Sequence, residues 1–353
     1  MTLKIERRAP PVWMRVILPI LAVIITFALT SALVLMVGAS PLEAYYHFLV
    51  EPLSSRVSAV EVLVKATPLL LTGAAVAVAF SGGFWNIGAE GQFLAGAVAA
   101  TAIGLNMHSL PPAVAVPLTL IGGVAAGMAW VATPALMKTR LGIDEVVTTL
   151  LLNSVALLAV SALLNGPWRD PISQWPQSPD IAAAAILPKL IPRSRLHLGF
   201  LLAILVVAAL GFVLSRTAFG VRLRAAGMEP DAARFAGIQV GRVMLTTALL
   251  SGGIAGLAGA IEVAGIHYHL IEAISGGHGY TGIVIATLSG LNPWAVVPAA
   301  LFIGLIDTGS QTVSRALGVP VYLGEVIQAT LLLVTLAVLL LQHYRIRWER
   351  RAA

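Results

Sequence analysis

The amino-acid sequence predicts an all-α polytopic membrane protein of about ten transmembrane helices, arranged as inverted five-helix repeats with both termini cytoplasmic. Three observations carry that expectation. Of 353 residues, 58% are apolar and only 11% are Asp, Glu, Lys or Arg, less than half the roughly 25% charged residues of a soluble domain. Long stretches hold no charge at all: Val16 to Leu42 (27 residues), Gly91 to Met137 (47) and Ala273 to Ile306 (34). About 20 apolar residues suffice to cross the hydrocarbon core. Finally, the basic residues sort by side once crossings are drawn. A mean hydropathy of +0.91 excludes a soluble enzyme, a disordered chain and a coiled coil. Cysteine is absent, which removes disulfides, a thiolate nucleophile and any Cys-ligated metal.

The crossings fall at about 16–37, 59–80, 85–106, 112–134, 145–165, 198–215, 244–264, 275–290, 293–312 and 321–342. The first ends on Val37-Gly38-Ala39, which resembles a signal cleavage site. Its apolar run exceeds the roughly 7–15 residues of a signal peptide, so it reads as an anchor. The fifth and sixth crossings are joined by an outer loop, Gly166 to His197, of 32 residues with six prolines, Trp168 and Trp175. It reads either as an interfacial lid with aromatic anchors or as a docking surface. The inner loop, Arg216 to Arg242, carries the densest charge. The weakest crossing, 275–290, is short and Gly-rich, but without it the C-terminal basic cluster would face outward.

With the N-terminus inside, 15 of the 22 basic residues lie on the cytoplasmic side. They are Lys4, Arg7, Arg8, Arg15, Lys138, Arg140, Arg216, Arg222, Arg224, Arg234, Arg242, Arg345, Arg347, Arg350 and Arg351. Seven lie outside: Arg56, Lys65, Arg169, Lys189, Arg193, Arg195 and Arg315. Cytoplasmic loops retain Lys and Arg. The net charge of +6 therefore reports orientation, not a nucleic-acid surface.

Ser81-Gly82-Gly83-Phe84-Trp85-Asn86-Ile87-Gly88 and Ser275-Gly276-Gly277-His278-Gly279-Tyr280-Thr281-Gly282 share the pattern SGGxxxxG. Each is followed by a similar helix start, Val116-Pro117-Leu118 and Val297-Pro298-Ala299. One follows an inward crossing and the other an outward one, which defines the inverted repeats. Gly82, Gly83, Gly276 and Gly277 are thus candidate hinges. Glycine pairs break helices and leave backbone groups free, and at membrane depth this is tolerated only beside protein or water.

Several chemistries are missing. No GK dipeptide exists, so no Walker A loop; no H-E-x-x-H, G-x-S-x-G or Thr-Val-Gly-Tyr-Gly occurs. His267 and His269 fall on different faces of a helix, so no metal site is expected. Intramembrane polar groups are costly and should face the interior or a cavity. Phe84, Trp85, Asn86, Glu90, Gln92, Asn153, Asp307 and Gln311 are the candidates for the translocation path. Asn86 and Glu90 are one turn apart, as are Asp307 and Gln311. Asn86 also fits a helix cap, and Asn153 an interhelical hydrogen bond. A secondary transporter using Glu90 or Asp307 as its proton site is the competing reading.

Gly82 to Gln92 closely resembles the G-x-FNIG-x-EGQ stretch of ABC importer permeases, in the nucleoside and simple-sugar branch of the ribose/branched-chain amino acid permease family. Thr148 to Asn153, Leu250 to Ala260 and Gly279 to Ile283 agree with it, so the resemblance covers about residues 60 to 340. Trp85 is an extra aromatic relative to the usual Phe-Asn. The inner stretch Phe219 to Gly237 resembles the family's cytoplasmic coupling loop, which implies ATPase contacts for Arg224, Gly227, Pro230, Asp231, Ala233, Arg234 and Gly237. Pro230 suits a first helical position, Asp231 the N-terminal dipole and Gly237 a terminator. The resemblance implies a bacterial inner-membrane subunit that moves a nucleoside, or secondly a simple sugar. It needs no cofactor of its own, because ATP and Mg sit on a partner ATPase. A second, related permease chain and an extracytoplasmic solute-binding protein or lipoprotein complete the implied assembly.

Overall fold

The computed structural model describes residues 2–7 and 14–349. Met1, residues 8–13 and residues 350–353, including the basic Arg8, Arg350 and Arg351, lie outside it. The described residues are almost wholly helical. In chain order they form α1 (Met14–Met36), α2 (Pro41–Tyr45), a wide π turn (Tyr46–Val50), α3 (Glu51–Ser54), α4 (Arg56–Ser81) and α5 (Ala89–Gly104). Next come α6 (Pro112–Leu136), α7 (Glu145–Asn165), α8 (Gly199–Arg216), α9 (Ala218–Met228), α10 (Pro230–Phe235) and α11 (Val240–Glu262). The last are α12 (His278–Leu288), α13 (Pro293–Leu317) and α14 (Leu323–His343). Two terminal strands, β1 (Thr2–Arg7) and β2 (Tyr344–Glu349), pair antiparallel with Thr2 opposite Glu349. The two ends of the chain therefore meet on one side of the bundle.

Among the described residues six helices are long and apolar enough to span a membrane: α4, α6, α7, α8, α11 and α13. Shorter apolar stretches in α1 and α14 add to these. Two of the ten expected crossings are only partly helical. The expected span 275–290 yields α12, of 11 residues, about 16 Å at 1.5 Å per residue and half the thickness of a bilayer core. The span 85–106 yields α5, of 16 residues, entered through non-helical chain at 82–88. The glycine pairs account for both shortenings.

Two further features depart from expectation. Residues 41–54 are short helical turns rather than a plain link, started by Pro41 and Pro52 in their first turns. Phe48 is buried there against α13, where a side chain at Gly309 would collide with the Phe48 carbonyl. Helix α4 also begins earlier, at Arg56, because Ser55 caps it by accepting the Ser58 N–H at 3.1 Å. Lys65, already inside the expected crossing, lies in the third turn of α4.

Helices α4 and α11 form the centre, with 89% and 83% of their spanning windows buried against 22% for α7. The outward faces of α1, α7 and α8 are apolar, with Ile24, Leu29, Leu151, Leu158, Leu205 and Phe212 exposed. Lipid is as apolar as leucine, so association within the bundle depends on close packing of small residues. The α5–α6–α11 contact is of that kind. A Cβ at Gly96 would strike the Gly256 carbonyl, one at Gly127 the Gly252 carbonyl, and one at Gly259 the Phe93 carbonyl. Gly256→Ala would press on the Gly123 carbonyl and should cost about 1–3 kcal/mol, read as a lower melting temperature in detergent. Gly241→Ala, which meets nothing within 4 Å, should leave that temperature unchanged.

Candidate functional site

Helix α4 ends in a Schellman turn. The Phe84 N–H donates to the Ala79 carbonyl at 3.0 Å and the Gly83 N–H to Phe80 at 3.1 Å, with Gly83 at φ +77°. The chain then runs non-helically to Gly88, and its backbone groups need other partners. Helix α7 supplies them from one face, at i, i+4 and i+8. The Glu145 carboxylate accepts the Trp85 N–H (3.3 Å) and the Thr149 hydroxyl accepts the Ile87 N–H (3.3 Å). Asn153, 2% exposed, accepts the Gly91 N–H at 2.9 Å and donates to the Ile87 carbonyl at 2.9 Å. Lys138 pairs with Glu145 at 2.6 Å.

The candidate path residues separate by role in this geometry. Asn86 is fully buried. Its amide donates to Gln92 Oε1 and Ser251 Oγ, both at 2.9 Å, and accepts from the Gly88 N–H (3.0 Å) and Gln92 Nε2 (2.8 Å). Ser251 in turn donates to the Ala75 carbonyl of α4 at 2.6 Å. Phe84 is buried against Val131, Ala135 and Ala248. Trp85 is half-exposed and tilts over Phe80 at 4.6 Å. Asp307 Oδ1 accepts from Gln328 Nε2 of α14 at 2.5 Å rather than pairing with Gln311, which is exposed.

The second glycine pair lies just before α12, with Gly276 at φ +50° and Gly277 at +77°. The two half-helices meet start to start. Glu90, in the first turn of α5, accepts the Gly279 N–H at 2.8 Å, and a Cβ at Gly279 would collide with the Glu90 backbone. A carboxylate at the N-terminal end of α12 is favourably placed against the helix dipole and its free N–H groups. The Tyr280 hydroxyl accepts from Asn153 Nδ2 at 3.2 Å, so Asn153 touches both broken segments.

Each break is also tied to a loop. Gly227, at the end of α9, lies directly on the first: a Cβ there would strike the Ser81 carbonyl and come within 2.9 Å of the Gly83 nitrogen. Arg224 anchors α9 by donating to the Leu214 carbonyl at 2.6 Å. Pro230 opens α10, Ala233 is buried, and Asp231 pairs with Arg234 at 2.6 Å. Gly237, at φ +81°, closes α10 as Ile238 N–H donates to the Ala233 carbonyl at 2.9 Å. Phe235 is 97% exposed, and Met228, the last residue of α9, is exposed as well. Phe235 was not among the residues for which the resemblance implied ATPase contacts; its exposure next to Arg234 adds it as a candidate.

On the opposite side, the loop 166–197 is stitched to the chain leading into the second break. Ser178 N–H donates to Leu270 (2.9 Å), Ile181 N–H to Tyr268 (2.8 Å) and Leu187 N–H to Ala264 (2.9 Å). Its tip exposes Ile172 and Trp175.

A bundle of long apolar helices, with the shorter α5 and α12 entered through non-helical glycine-bearing chain, is the architecture of a multi-pass membrane protein. The chain matches the family described as branched-chain amino acid transport system, permease component, over residues 58–336, and it belongs to that family. It is 35% identical to the glucose ABC transporter permease protein of Haloferax volcanii, over 98% of this chain and 94% of that one. It is 32% identical to a guanosine ABC transporter permease protein of Bacillus subtilis, over 90% and 92%. A second guanosine permease of the same organism is 28% identical over 70% of this chain and 79% of its own. These relatives place it in the nucleoside and simple-sugar branch.

Proposed function

We propose that the chain is the transmembrane permease subunit of an ATP-driven ABC importer in the bacterial inner membrane. It carries nucleosides in the first instance and simple sugars in the second. The observation that carries this reading is the seat of Gly227 on Ser81 and Gly83. A partner ATPase, which holds ATP and Mg, docks on exposed Phe235 and Met228, and its movement reaches the first helix break through one backbone contact. An extracytoplasmic solute-binding protein docks at Ile172 and Trp175, and reaches the second break through the stitched loop. The meeting of α5 and α12 start to start at Glu90 and Gly279 supports inverted repeats, and the pairing of β1 with β2 supports an even number of crossings. Two guanosine permeases in one relative's organism support a pore built with a second, related chain. Guanosine and glucose, the solutes those relatives are named for, share neutral rings bearing neighbouring hydroxyls.

The test is uptake of labelled guanosine and glucose by cells carrying the whole importer. Uptake should stop on ATP depletion and persist when an uncoupler removes the proton gradient at constant ATP. The reverse pattern would establish an ion-driven transporter.

A further inference from the structure

Two opposite charges lie inside the spans on the face shared by α4, α12, α13 and α14, and neither the packing nor the coupling route uses them. Gly304 of α13 packs on α4 at Val62 and Ala66. Asp307, about one turn further on, is thereby carried to the turn of α4 that holds Lys65. Gln328 bridges the group: its amide donates to Asp307 at 2.5 Å and accepts from the Thr281 hydroxyl at 3.2 Å. Lys65, Thr281 and Asp307 are half-buried, and Tyr280 beside them is exposed.

Charged groups open at membrane depth face water or polar protein, because lipid contact is too costly. The lipid-facing surfaces of this chain are of another kind, built from residues such as Leu151, Leu158 and Leu205. The cluster therefore faces water or polar protein and not lipid. Its donor set is also specific. Asp307 Oδ2 has no hydrogen bond among the described residues, so it can accept from hydroxyls on adjacent carbons. The ammonium donates to a hydroxyl or ring oxygen, and the amide does both. A carboxylate at the centre disfavours a solute that carries its own anion.

We propose that Lys65, Asp307 and Gln328 form a solute-contacting station in the pore that takes a neutral solute by its neighbouring hydroxyls. The identity of that solute rests on the nucleoside-or-sugar reading; the position of the station does not. The chain contains no cysteine, so single Lys65→Cys, Asp307→Cys and Gln328→Cys variants can be probed in the assembled importer with a membrane-impermeant thiol reagent. Positions 65 and 307 should label, the buried position 328 more slowly, and Leu205→Cys should not. Saturating guanosine or glucose should slow labelling at least about fivefold, whereas a 2′,3′-dideoxynucleoside should not. Asp307→Asn should lower ribonucleoside uptake at least about tenfold while the complex still hydrolyses ATP. Unlabelled positions 65 and 307, or labelling that no transported hydroxylated solute slows, would overturn the station. Absence of nucleoside and sugar uptake in the wild type sinks the solute reading instead. Labelling at 65 and 307 then still decides whether the cluster faces the pore.

Discussion

Replacing Phe235 by Asp should reduce ATP-driven uptake by about 100-fold or more while the permease inserts at its normal level. The side chain is 97% exposed, so its loss removes nothing from the packing of this chain, and surface changes of that kind usually stay within about 0.5 kcal/mol. In a docked complex the aromatic ring would fill a groove of the ATPase, and anchors of this type contribute about 2 kcal/mol or more. A carboxylate in the same groove adds an unpaired, desolvated charge. Together these exceed the 2.8 kcal/mol or so that corresponds to 100-fold. The measurements are uptake, membrane abundance by immunoblot, and ATPase co-purified with the tagged permease. Normal uptake with the ATPase still attached would show that α10 is not the coupling element. Gly237→Val, which forces a β-branched residue to φ +81° and removes the cap of α10, should give a weaker loss in the same direction.

The position of the breaks explains why so small a contact can matter. The α9–α10 unit touches the first break at Gly227, and the 166–197 loop is bonded to the strand of chain that leads to the second. The two breaks touch each other at Glu90–Gly279 and through Asn153. An event at either surface thus reaches the middle of the bundle across one or two backbone contacts. Closely packed interiors transmit such displacements because they cannot absorb them.

Much of this was legible in residue patterns, for identifiable reasons. Charge-free runs mark spans; Gly82–Gly83 marks the first break because α4 ends where Gly83 takes a left-handed conformation, and Gly276–Gly277, both at positive φ, marks the non-helical chain just before α12 starts. The start of α4 at Arg56, three residues before the expected crossing, was not legible, because only the Ser55 cap fixes it. Asp307 was paired with Gln311 by helical spacing, which says nothing of a neighbour arriving from α14. The role of Asn153 was least accessible, since two of its partners are main-chain groups more than 60 residues away.

Asn153→Leu should destabilise the permease by about 2–6 kcal/mol. Leucine has the same branching and the same number of heavy atoms, so no cavity opens and the main loss is of hydrogen bonds. The Gly91 N–H and the Ile87 carbonyl would each lose a buried partner, at about 1–3 kcal/mol apiece. Helix α7 would keep only Glu145 and Thr149 on the broken segment, both through 3.3 Å contacts longer than the two made by Asn153. Tyr280→Phe removes just the third bond of the amide and should cost about 0.5–1.5 kcal/mol. Melting temperatures of the two variants in detergent separate these contributions. A large drop for Asn153→Leu and a small one for Tyr280→Phe would place the stabilisation in the grip on residues 87–91. Equal drops would show that the amide acts through α12 alone, and that the first break holds its shape without α7.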